Sequence, residues 1–197
     1  MMFNRQPGGL FFTPASIVAA KQASDQEPYA SAYQYLRGHE QSGAAAAAWG
    51  AFRHCFANNE NAAQFGLEML LYHTEAAVDA DQRMTDALAE SLSLAQAYEM
   101  LRTHPAFTSE MQARWREHFE ARVMHLRDRA ADGTFTDGLW WSALAVGAGI
   151  VLEREPLFQQ GVARFQQAVE SDIRPQGHIR QAVEGEDGGS MERTLRR

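Results

Sequence analysis

A single cysteine, Cys55, is all that 197 residues carry, so the chain can close no internal disulfide and build no thiolate metal cluster. Lysine is equally scarce: Lys21 stands alone, and nearly all positive charge is arginine, whose planar fork can grip a carboxylate through two parallel hydrogen bonds. Positive charge as a whole is in deficit, with a formal net charge of −7. That argues against nucleic acid or an anionic membrane as a partner, because both need a positive field to displace counterions. No apolar run is long and uncharged enough to span a bilayer, and the stretch from Met1 to Gly9 lacks the apolar core of a secretory leader. Strand-like alternation is missing, as are glycine-rich phosphate loops and nucleophile elbows. The glycine cluster Asp187-Gly188-Gly189-Ser190 has no strand before it. His54, His73, His104, His118 and His125 show no HExxH or other ligand spacing, so neither a metal nor a cofactor is expected.

What is present is helical pattern. Hydrophobic residues at 45% and charged residues at 22% are ordinary for a folded domain, and the length supports one well-buried core. Residues 1–12 read as an extended entry, 13–185 as one helical domain and 186–197 as a polar C-terminal segment. Thr13-Pro14 supplies a cap and a proline for the first turn of a helix reaching about Ala23. Tyr29 to Leu36 gives a second helix, stopped at Gly38, and the alanine-rich stretch Ala44 to Phe56 a third. Phe65, Leu67, Met69, Leu70, Leu71 and Tyr72 predict a helix apolar around most of its circumference, and therefore internal.

From Gln82 to Arg102 the apolar positions keep a spacing of three or four, until His104-Pro105 breaks the helix. Thr108 then caps a long helix with Met111, Trp115, Phe119, Val123 and Leu126 as its buried stripe, and with Arg122 assigned to another face. Asp132-Gly133 forms the loop before an almost wholly apolar helix from Thr136 through Trp140, Trp141 and Val146. Pro156 opens the next helix, where Phe158, Val162, Phe165 and Val169 share one face. The class is all-α. Helices come in short-looped pairs, one mostly apolar and the next amphipathic, which suits the inner and outer layers of an α/α toroid. A solenoid of helix pairs would share that pattern, but no repeat of fixed length is found.

The run Ala97-Tyr98-Glu99-Met100-Leu101-Arg102, then Phe107 and Trp115, then Trp141-Ser142-Ala143-Leu144, Leu157-Phe158, the turn Ile173 to Gly177 and Arg193 resemble, in that order, the helical-toroid alginate lyases (poly(mannuronate) lyases). A more distant likeness is to the helical domain of heparinase-like lyases. The resemblance implies an incomplete α/α toroid whose relatives cleave an acidic uronate polysaccharide by β-elimination. It also implies a periplasmic or secreted setting, although no leader is visible here and the cytoplasm stays open. In that family arginine and asparagine neutralise the sugar carboxylate, histidine is the base and tyrosine handles the departing oxygen. Arg193 matches the neutralising arginine. The family's Asn-Asn-His falls on Thr136-Asp137-Gly138, and its Tyr-His would lie beyond Arg197, so the ring would need a further chain segment to complete it.

His178, just after the Pro175–Gly177 turn, is the candidate substitute base. Thr136, Asp137, Trp140 and Trp141 are the candidate substrate contacts, against the simpler readings of a turn for Asp137-Gly138 and core packing for the indoles. Two alternatives stand beside the lyase: a catalytically inert uronate-binding relative, and a helical-repeat scaffold for protein interaction.

Overall fold

Side-chain caps, Thr13, Asn59, Thr108 and Thr134, open four of the helices. In the computed structural model, which describes residues 12–37, 41–131 and 133–172, the Thr13 hydroxyl accepts from the Ser16 amide at 3.0 Å and opens α1 (Pro14–Ala23). Helix α2 is Tyr29–Arg37 and α3 is Ala44–Ala57. Asn58 ends α3 in the left-handed region at φ 53°, a conformation asparagine tolerates better than most residues. Asn59 then caps α4 (Glu60–Glu75), its side chain accepting from the Ala62 amide at 3.0 Å.

The fifth helix, α5, runs Met84–Leu101, starting later than the periodicity suggests. Residues 79–82 instead form a turn in which the Asp79 carboxylate accepts from the Asp81 amide at 2.9 Å. Thr108 caps α6 (Ser109–Ala130) as expected, and Gln112 Nε2 locks the preceding turn by donating to the Arg102 and Phe107 carbonyls, each at 2.9 Å. Helix α7 is Phe135–Val151 and α8 is Glu155–Gln167, continued by one π-helical turn, Ala168–Asp172. Among the described residues there is no strand, so the all-α class is established for them.

The order of packing follows the order of the chain. Helix α5 lies between α3 and α7, and each of these three packs on the helix that follows it: α4 on α3, α6 on α5, α8 on α7. Helices α4 and α6 also touch each other, so the odd-numbered helices form one row and the even-numbered ones cover it. Small residues permit the closest approaches. A Cβ on Gly50 would lie 2.7 Å from the Ala62 carbonyl oxygen, and one on Gly149 would lie 2.5 Å from the Phe158 backbone nitrogen, so α3–α4 and α7–α8 meet almost backbone to backbone.

Aromatic rings fill the wider gap under α6. The rings of Tyr98 and Trp115 stack at 4.0 Å, Trp115 and Phe119 stack at 4.5 Å, and Phe107 meets Tyr98 edge-on at 5.7 Å. The Tyr98 hydroxyl avoids an unpaired burial by accepting from Arg116 Nε at 2.9 Å.

Three faces differ from the sequence reading. Helix α4 is not internal: Phe65 and Tyr72 are 44% and 66% exposed, because α4 belongs to the covering layer and buries only its Ala63, Leu67, Leu70 side. Arg122, assigned to a face other than the buried stripe, is buried in the core of the α4–α5–α6 junction. On α8 the buried positions are Leu157 and Gly161, followed by Ala168 in the π-helical turn, whereas Phe165 and Val169 of the expected stripe are 54% and 42% exposed. The close approach at Gly161 turns the small residues of α8 toward the Ser142 carbonyl and Val146, which leaves Phe165 at the margin of the α7–α8 contact, where it shares a groove with Leu139 and Ala143.

Candidate functional site

The start of α7 carries the residues singled out from sequence. Helix α7 begins one residue before Thr136, with Thr134 as its cap. Asp137 closes a capping box: its Oδ2 accepts from both the Thr134 amide and the Thr134 hydroxyl at 2.8 Å. The Asp137 carboxylate is thereby committed to the helix start, where the positive end of the helix dipole favours it. Thr136 is half-buried. Of the two indoles, Trp141 is in the core and Trp140 is 38% exposed. Arg193 and His178 lie outside the described residues, as does Gly38.

Along α7 runs an apolar groove of about 430 Å³ lined by Leu92, Leu139, Ala143, Val146 and Phe165. Ser142 also reaches it, but its hydroxyl donates to the Gly138 carbonyl at 2.8 Å, so the groove presents hydrocarbon. Phe165 on α8 and Val169 in the π-helical turn after it are exposed apolar residues as well.

A second hollow, of about 370 Å³, is polar and includes His73, Asp79, Asp81, Glu90 and Arg122 in its wall. It is a brace more than a receptor. Arg122 Nε donates to Ser91 Oγ at 2.8 Å, its NH1 to the His73 and Ala76 carbonyls at 3.2 and 3.3 Å, and its NH2 pairs with Glu90 at 3.5 Å. Arg129 continues the work two turns on, donating to the carbonyls of Asp79, Ala80 and Gln82. Two arginines of α6 thus satisfy carbonyls at the end of α4 and in the loop that follows it. Burial pulls the Arg122 guanidinium below its ordinary value against the opposing pull of Glu90. It also pushes the His73 imidazole down.

The third cluster was not legible from spacing. His54 in the last turn of α3, Glu60 at the first position of α4 and His104 just after α5 bring one donor atom each within 4.8 Å of one another. The signal that could have found them is topological: in a hairpin array, the end of α3, the start of α4 and the end of α5 fall at the same end of the bundle.

No protein-family profile, curated protein or solved structure matches the chain.

Proposed function

We propose that this chain is the helical part of a polysaccharide-lyase-like protein acting on an acidic, uronate-containing polymer, and that its helix pairs belong to an incomplete α/α toroid. The observation that supports the reading is the layering, with α3, α5 and α7 in one row and α4, α6 and α8 covering it. Successive hairpins in two layers are what an α/α ring requires. The exposed apolar strip of Leu139, Ala143, Val146 and Phe165 is the seat for a further helix pair that carries the ring onward.

In β-elimination the hydrogen on carbon 5 of the uronate leaves as a proton and the oxygen on carbon 4 is expelled. The carboxylate must be neutralised for charge to build up on it, so the reaction needs a neutraliser, a base and an acid. Arg193 takes the first role by bidentate pairing with the carboxylate, and His178 is the candidate base. Trp140 offers a partly exposed indole face to a sugar ring. Thr136 is the candidate partner for a sugar hydroxyl, while Asp137 contributes through the cap it holds. A periplasmic or secreted location accompanies the reading, since such polymers are extracellular.

The test is direct. Incubation of the protein with alginate and related uronate polymers should raise the ultraviolet absorbance as unsaturated ends form, and Arg193→Ala should abolish the rise. Silence on every uronate sinks the enzyme reading.

One observation favours a second reading, an inert uronate-binding relative: Asp137 is spent on the cap and Trp141 on the core. Binding of uronate oligomers without new absorbance would select it, and absence of binding would leave a helical interaction scaffold.

A further inference from the structure

We infer that His54, Glu60 and His104 form a binding site for a divalent cation of the zinc class, a site independent of the carbohydrate reading. The geometry carries the inference. His104 Nε2 stands 3.0 Å from one oxygen of Glu60, and His54 Nδ1 stands 3.7 Å from the other. Zinc bonded to nitrogen and oxygen at its usual lengths in a tetrahedron sets neighbouring donors about 3.3 Å apart. The two measured separations fall on either side of that figure, so small rotations of side chains would bring the donors onto one ion. The two imidazoles stand nearly perpendicular with centroids 5.0 Å apart, so they do not stack in each other's way.

His54 supplies the second observation. Its Nδ1 is buried and has no hydrogen-bond partner, an acceptor or donor left over at the point where the other two groups converge. An ion there would satisfy it. The surroundings set the mobility of each ligand. The His104 side chain is 8% exposed, fixed between helices, while Glu60 is 68% exposed and free to swing from a bridging to a ligating position. Asn59 caps the helix that Glu60 begins, which anchors its backbone.

Two nitrogens and one carboxylate oxygen are a borderline donor set that suits zinc, cobalt or nickel and is too poor in oxygen for calcium or magnesium. Three protein ligands leave the fourth position to water from the Glu60 side. Binding requires the His104 tautomer with hydrogen on Nδ1, and so gives up the long 3.2 Å hydrogen bond that Nδ1 accepts from the Ala106 amide. Cys55, next to His54, is not part of the set: its thiol donates to the Met100 carbonyl at 3.7 Å, and burial pushes its pKa up, away from the thiolate a metal needs. With the ion in place, the end of α3, the start of α4 and the end of α5 are tied together.

The experiment uses untagged full-length protein freed of metal with a chelator, titrated with zinc by calorimetry and with cobalt by visible absorption. The expected result is one ion per chain, tetrahedral cobalt bands without thiolate charge transfer, and a higher melting temperature with zinc. Glu60→Gln and His54→Gln should each weaken binding by at least about tenfold. Glu60 is exposed enough to change without unfolding the chain, whereas His54→Gln and His104→Gln are compared by circular dichroism with the parent. No saturable zinc binding, or binding indifferent to Glu60→Gln and His54→Gln, overturns the site, and cobalt–thiolate absorption overturns the donor set.

Discussion

Arg122 shows how a residue type misleads when taken alone. Five arginines of α6 look like a solvated set, yet Arg122 is buried because four partners wait for it: Ser91, two carbonyls at the end of α4 and Glu90. Truncating it strands those groups, so Arg122→Met should cost about 2–3 kcal/mol in urea unfolding. Arg122→Lys should recover only part of that, since one ammonium cannot reach Ser91 and the carbonyl pair together.

His73, whose carbonyl Arg122 holds, gives stability a pH dependence. Burial lowers its folded pKa below the ordinary 6.5, with Glu90 pulling upward and Arg122 adding to the fall. The unfolded chain therefore takes the proton first. Its contribution is intact above about pH 6.5 and is lost as pH falls through the folded value. Denaturation midpoints measured from neutral to mildly acidic pH should decline, and His73→Gln should flatten that limb.

At the scale of elements, some caps were readable and the partners were not. Thr13 and Thr108 sit where local chemistry puts a helix start, because a cap depends on residues three positions apart, while the caps Asn59 and Thr134 were not singled out. Which face of α4 or α8 is buried depends on a neighbour far along the chain. For α8 the neighbour is α7, and the deciding residues are Gly149 and Gly161, which carry no hydrophobic signal at all. An added methyl at Gly149 meets the Phe158 backbone, which cannot swing aside, so Gly149→Ala should destabilise by about 1–3 kcal/mol despite alanine's better helix propensity. Phe165→Ser, on the open face, should cost under about 1 kcal/mol. Equal losses at both positions would contradict the packing described. The His54–Glu60–His104 cluster was illegible for the same reason, since no spacing on one helix encodes a meeting of three helix ends.

For the whole molecule, the all-α class was legible in the helical periodicity and the described residues bear it out, whereas the layer a helix occupies was not, since α4 read as internal and lies in the covering row. The residues assigned to chemistry were read by resemblance, and of these Trp140 is partly exposed to solvent while Asp137 and Trp141 serve the fold. Net charge makes the functional claim testable: at −7 the chain repels polyanions in general, so affinity for one must come from a built site such as a convergent arginine. The decisive measurement is calorimetric titration with a uronate oligomer, beside a neutral glucan of equal length. The account predicts saturable binding of the uronate alone, weakened at least about tenfold in Arg193→Ala, the scale of losing one charged hydrogen-bond pair. Equal affinity for both sugars, or none for either, would contradict it.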